Sequence, residues 1–230
     1  MAIAVIRRRP SPNFDSRRGQ AVDTLVIHYT GMIEAEAALA RLCDPTAKVS
    51  AHYFIAQDGA VTALVDEAMR AWHAGQGFWG GARDVNAVSI GIELCNPGHD
   101  WGYGDFPAPQ IAALIGLGRE IVARHAIPAW RVIGHSDLAP ARKIDPGERF
   151  PWRPLAASGL GLWPEGADMG KGTQLAADLR AYGYDPEAPD DAAIAAFQRH
   201  FRPARIDGQA DAECAGLAAR LLTLKANALS

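Results

Sequence analysis

The chain has 230 residues, 49% of them hydrophobic and 21% charged, which are ordinary values for a globular protein with a core of normal size. A formal net charge of -3 gives no reason to expect nucleic acid or an anionic membrane surface as a partner. No stretch approaches the roughly 20 apolar residues that span a bilayer. The three cysteines, Cys43, Cys95 and Cys214, are odd in number and form no CxxC pair, so neither a disulfide framework nor a zinc-thiolate site is expected. Free thiols fit a reducing compartment best. The short apolar run at the N-terminus precedes its arginines instead of following a basic start, so no secretory signal is read and a cytoplasmic location is expected. A chain already trimmed of its leader would look the same.

Residues 1–21 are basic and rich in turn formers, and read as an extended arm. Residues 24–29 (TLVIHY) form a short β-branched run, the pattern of a buried strand. A helical stretch over 34–42 follows and stops near Asp44-Pro45. Residues 51–56 and 60–65 flank Asp58-Gly59, a strong hairpin signal. Residues 85–94 read as a strand, 109–126 as a long helix and 130–133 as a further strand. Strands interleaved with helices predict an α/β layer fold around one central sheet. Residues 136–172 hold many prolines and glycines and read as loop. Beyond them, 174–182, 190–201 and 211–224 look helical and strand signals stop. The expected organisation is an arm over 1–21, an α/β domain over 22–155, a linker over 156–170 and a small α-helical domain over 171–230.

Three motifs carry chemistry. His28 ends the 24–29 strand, His135 follows the 130–133 strand, and Asp145 lies ten residues further on, in a Lys143-Ile144-Asp145-Pro146-Gly147 stretch. Strand ends in an α/β sheet open toward a common crevice, where residues distant in sequence converge. Two imidazoles and one carboxylate make a three-ligand zinc set that leaves a fourth position for water. Glu93, near the end of another apolar strand, is placed to act as general base. Lys143 could stabilise an oxyanion. The spacing is unlike the compact zinc-protease motifs, and each residue taken singly also has a structural reading as a core histidine, a turn or a solvated rim.

Taken together, SPNFDSRRG, LVIHYTG, VSAHYFIAQDGAV, AWHAG, NAVSIGIELCNPG, VIGHSDLAPARKIDPG and FPW resemble the type-2 N-acetylmuramoyl-L-alanine amidases, relatives of the peptidoglycan recognition proteins. The resemblance implies a mixed central sheet flanked by helices and one zinc ion on His28, His135 and Asp145. It also implies Glu93 as the catalytic carboxylate and Lys143 near the scissile carbonyl. Alanine stands at 141 where many members have glycine, which touches loop geometry and no ligand. The tail resembles a helical peptidoglycan-binding domain through LRAYGY, AIAAFQRHF and IDGQ. Outer-membrane lipoproteins and cytoplasmic enzymes acting on 1,6-anhydro-muropeptides are both similar members.

The implied substrate is peptidoglycan or a muropeptide, and the implied function is its turnover or recycling by a monomer. The rival is a non-catalytic peptidoglycan-binding module. Substrate contacts are expected from Trp72, which could stack on a sugar, and from His73, Asn96 and Arg142. His52 reads either as a partner of the site or as a satisfied core histidine. Asp137 reads as a turn or cap residue. His200 has no supporting context.

Overall fold

The computed structural model describes residues 6–169 and 174–229. Its centre is strand β3 (Thr24–Tyr29), with five of six residues buried. A continuous apolar run has no face to offer water, so it belongs inside a sheet covered on both sides. β3 pairs in parallel with β7 (Ser89–Leu94) on one side and β8 (Val132–Gly134) on the other. Next to β7 lies β4 (Tyr53–Ile55), joined by the Asp58-Gly59 turn to antiparallel β5 (Val61–Ala63). Gly59 has φ +86, which favours glycine. β1 (Arg7–Arg8) closes the edge against β5, giving the order β1-β5-β4-β7-β3-β8. A separate antiparallel pair joins β2 (Phe14–Ser16) to β6 (Met69–Ala71). The basic arm is thus woven into both sheets; its first five residues lie outside the described residues.

Successive strand residues face opposite layers. Leu25 and Ile27 pack on α3 (Ala108–His125) and α5 (Trp152–Ala157) through Leu114, Ile121, Trp152 and Leu155. Val26 faces the other layer, where it shares one cluster with Leu175 of α6 (Leu175–Tyr182), Phe197 of α7 (Asp190–Phe201) and Leu221 of α8 (Ala212–Leu229). The C-terminal helices therefore bury their apolar faces together with Trp79, Ile133 and Leu138 of the sheet unit. The expected domain boundary near 170 falls on residues outside those described. Also in this layer, α1 (Ala35–Cys43) covers Phe54 with Ala38 and Leu42. Phe54 pairs with Glu93, and Glu93 with His28. These side chains share Val26's face, between α1 and the C-terminal helices.

The mixed α/β sheet flanked by helices is as the sequence leads one to expect. Three segments differ in detail. Residues 85–88 form a helical turn, α2 (Val85–Val88), ahead of β7. That turn lets the Asn86 side chain accept the N–H groups of His73 and Ala74 at 3.0 and 2.8 Å. Residues Ala129–Arg131 form a 3-10 turn after Pro128 and shorten the expected strand to β8. The loop expected over 136–172 contains α4 (His135–Leu138) and α5. Among the described residues, no helix is long and apolar enough to cross a membrane.

Candidate metal centre and active site

His28 comes from the C-terminal end of β3, and the register sets Glu93 of β7 directly beside it. His135 opens α4 where β8 ends. Asp145 returns to the same point because its carbonyl accepts the Ser136 N–H at 2.9 Å. The ligand atoms of His28, His135 and Asp145 lie within 4.8 Å of one another, and all three residues are buried.

The hydrogen bonds fix which ring nitrogens carry protons. Ser89 gives its hydroxyl proton to the Val85 carbonyl at 2.6 Å. Its oxygen is then free to accept from His73 Nε2 at 3.2 Å. His73 Nδ1 is left bare and accepts from His28 Nε2 at 3.0 Å, which leaves His28 Nδ1 bare in turn. His135 donates from Nε2 to the Ala74 carbonyl at 2.9 Å, leaving its own Nδ1 bare. These two bare nitrogens lie 2.9 Å apart, and Asp145 Oδ2 lies 3.2 and 3.1 Å from them. Three lone pairs meeting without a proton call for a cation. Histidines whose far nitrogens are held by carbonyl or side-chain acceptors are the usual arrangement around zinc.

Electrostatics agree. Burial, with the neighbouring His135 ring, lowers His28 to about 4, so it is neutral near pH 7. Burial alone would raise Asp145, but any positive charge on the His135 and His28 rings beside it holds its carboxyl well below the usual carboxylate range, so it is present as a carboxylate. Glu93 is pushed up to about 8, by burial first and by Asp145 second. Its Oε2 is buried and has no hydrogen-bond partner among the described residues. Glu93 lines a cavity of about 370 Å³ together with Trp72, His73, His135, Arg142, Lys143 and Asp145. That volume suits a small ligand.

The other expected site residues divide. His73 lies against the metal centre, with its ring laid over Gly91, where a Cβ would come 2.5 Å from His73 Cγ. Trp72 lines the cavity and anchors its Nε1–H on Asp15 at 3.1 Å. Arg142 lines the cavity too, but its guanidinium holds the carbonyls of Ala74 and Gln76 at 2.8 and 2.5 Å. His52 is fully buried behind His73 and not on the cavity wall. Its Nδ1 accepts from Gly91 N–H, its Nε2 lies 3.1 Å from the Met69 carbonyl, and Arg17 lies alongside at 2.8 Å. Asn96 is also off the wall: its amide donates to the Gly104 carbonyl and its oxygen accepts from Gly98, which shapes the 96–104 loop. The sequence reading missed Ser89 and Arg17. Gly91 inside a strand was the available signal that something packs closely there.

Fold and donor set together define a class, an α/β metallohydrolase with a His-His-Asp centre. Residues 18–148 match the family described as N-acetylmuramoyl-L-alanine amidase, and the chain belongs to that family. It is 39% identical to N-acetylmuramoyl-L-alanine amidase AmiD of Escherichia coli K12, across 87% of this chain and 82% of the relative. It is 36% identical to 1,6-anhydro-N-acetylmuramyl-L-alanine amidase AmpD of the same strain, across 64% of this chain and 87% of the relative. The structure is similar to that of Escherichia coli AmiD in complex with the substrate anhydro-N-acetylmuramic acid-L-Ala-D-gamma-Glu-L-Lys (TM-score 0.81, 37% identity, 94% of this chain and 93% of that one). It is also similar to AmpDh3 from Pseudomonas aeruginosa (TM-score 0.80, 32% identity, 97% and 98%). The family is zinc-dependent, and the donor set here fits that ion.

Proposed function

We propose that this chain hydrolyses the amide between the lactyl group of N-acetylmuramic acid, or its 1,6-anhydro form, and the L-alanine of the stem peptide, with one zinc ion on His28, His135 and Asp145. The observation that carries the reading is the unpartnered Glu93 carboxylate oxygen beside a proton-free ligand set. Zinc, when bound, polarises a carbonyl and makes water acidic enough to act as a nucleophile near neutral pH. Glu93 takes the proton of the attacking water and returns it to the leaving amine of L-alanine. Positive charge at the three ligands counters the burial that raises Glu93, which brings it toward the range where a group both takes and gives a proton. Lys143 holds the negative charge that develops on the carbonyl oxygen. Trp72 and the exposed Arg142 form the wall against which the muropeptide lies.

Residues 22–155 carry this chemistry in our reading. The helices beyond 170 add affinity for polymer by linking a second weak site to the first. A purely binding role is disfavoured because Glu93, Lys143, His135 and Asp145 all line one cavity. The test is digestion of purified anhydro-muropeptides and of intact sacculi, with and without a chelator, followed by mass spectrometry. Release of stem peptide beginning with L-alanine, lost on chelation and restored by zinc, is the expected result. Retention on sacculi without any cleavage would overturn the proposal in favour of a binding module.

A further inference from the structure

We infer that the C-terminal helical unit is a working part of the metal centre: Tyr184 and His200, through Asp137, are positioning residues for the ligand His135. The inference rests on the three-ligand reading above and goes beyond it, because a polymer-binding appendage would have no reason to hold a buried carboxylate two residues from a ligand.

His135 is the first residue of α4, which is only four residues long. A single helical turn has no stability of its own, since nucleation fixes several dihedrals for one hydrogen bond. Its direction, and therefore the aim of His135, must be imposed by neighbours. The chief neighbour is Asp137, two residues on and 1% exposed. Its Oδ2 accepts the Gly134 N–H at 2.8 Å, so the side chain folds back over the start of the turn that His135 opens.

A buried carboxylate needs its remaining lone pairs satisfied, and here the partners come from beyond residue 174. Tyr184 donates its hydroxyl proton to Asp137 Oδ1 at 2.7 Å. His200 Nδ1 lies 2.7 Å from Asp137 Oδ2. Both donors are themselves held. Tyr184 is fully buried and edge-on to Trp79. The His200 ring is stacked between Trp152 and Phe201, with centroids 3.7 and 3.8 Å away.

A second contact converges on the same turn. A Cβ on Gly134 would lie 3.2 Å from Trp152 and 2.7 Å from Pro146, the residue after the ligand Asp145. The ring that stacks on His200 therefore also lies close beside the residue preceding His135, where a side chain larger than glycine's would crowd it. Tyr184 and His200, 47 and 63 residues distant in sequence from Asp137, thus hold the α4 turn by polar contacts, while Trp152 of α5, stacked on His200, flanks it on the apolar side.

The test uses the full chain with Tyr184→Phe and His200→Gln. Leu221→Ala is the control, since Leu221 is fully buried in α8, belongs to the shared core and supplies none of the Asp137 hydrogen bonds described above. Zinc affinity is read by competition with a chromophoric chelator, cobalt(II) geometry by the visible absorption of the cobalt-loaded protein, and stability by thermal melts. We expect Tyr184→Phe and His200→Gln each to weaken zinc binding by about tenfold, the lower end of what supporting residues around metals usually contribute. The cobalt bands shift as well, while Leu221→Ala lowers the melting temperature and leaves both metal readouts unchanged. Wild-type zinc affinity and an unshifted cobalt spectrum in Tyr184→Phe and His200→Gln would overturn the inference. So would an equal loss of affinity in Leu221→Ala, because the effect would then be general loosening. If the unaltered chain binds no zinc, the ligand reading itself has failed, which the first titration separates from failure of the inference.

Discussion

His28 and His135 present the same kind of bare ring nitrogen to Asp145, yet they are held in opposite ways. His28 stands on a central strand with partners on both sides. Its far nitrogen is backed by a line of side chains, His73 to Ser89 to the Val85 carbonyl, with Arg17 and His52 packed behind. All of these residues come from the first 95 positions. His135 stands on one turn of helix, anchored by a single carbonyl at Ala74 and by an Asp137 whose partners beyond the turn itself, Tyr184 and His200, come from the C-terminal helical unit. A strand position is fixed redundantly by its ladder. A one-turn helix is only as well directed as the distant groups that hold it.

The largest effect that sharpens this comparison lies between the two histidines. Glu93→Gln keeps the shape of the side chain but removes the base. We expect turnover of muropeptide to fall by about 10²–10⁴, with zinc binding within error of the unaltered chain by the same competition titration. A parallel loss of zinc would mean that Glu93 belongs to the ligand frame. Next comes His73→Phe, which keeps a flat ring over Gly91 and deletes the acceptor for His28 Nε2. Zinc affinity should fall by about 10- to 100-fold. Unchanged affinity would show that the β3 ladder alone aims His28 and that the side-chain line behind it is passive.

How much of this could be read from the chain follows the same division. β3, the Asp58-Gly59 hairpin and the long α3 are written in local patterns of apolar residues and turn formers, and so are His28, Glu93 and His135, which sit at or next to strand ends. α2 was misread as strand because the gain from turning there is tertiary, the Asn86 oxygen accepting two N–H groups from 73 and 74. β6 went unseen because a three-residue strand has little pattern, and its partner β2 lies in a basic arm. Asn96 reads as a substrate contact because its side chain is polar and near a motif, but a loop carbonyl and a loop amide claim its hydrogen-bonding capacity, whereas Arg142 lines the cavity while also holding two loop carbonyls. His200 had no context in sequence because its partners are Asp137 and Trp152, and nothing within a few positions of it announces either.

The smallest effect concerns the outer edge of the His28 frame. The Glu67 backbone carbonyl accepts from Arg17 Nε at 2.8 Å, so this residue braces the arginine that packs on His52. Burial would raise the Glu67 carboxyl, but hydrogen bonds from Arg124, Tyr53 and His125 outweigh it and hold it at about 2, below its ordinary 4.5. The folded chain therefore releases this proton more readily than the unfolded one. The stability Glu67 contributes is complete above about pH 4.5, and it drains as the pH falls toward about 2. Because the cluster is partly solvated, the contribution should be about 1 kcal/mol. Urea unfolding of the unaltered chain and of Glu67→Gln between pH 6 and pH 2 should give curves that differ at pH 6 and converge in acid. Curves that stay parallel throughout would mean that the carboxylate is not the acid-sensitive element, and that Arg17 is braced by backbone carbonyls, those of Glu67, Asn86, Ala87 and Ser89, without help from the Glu67 side chain.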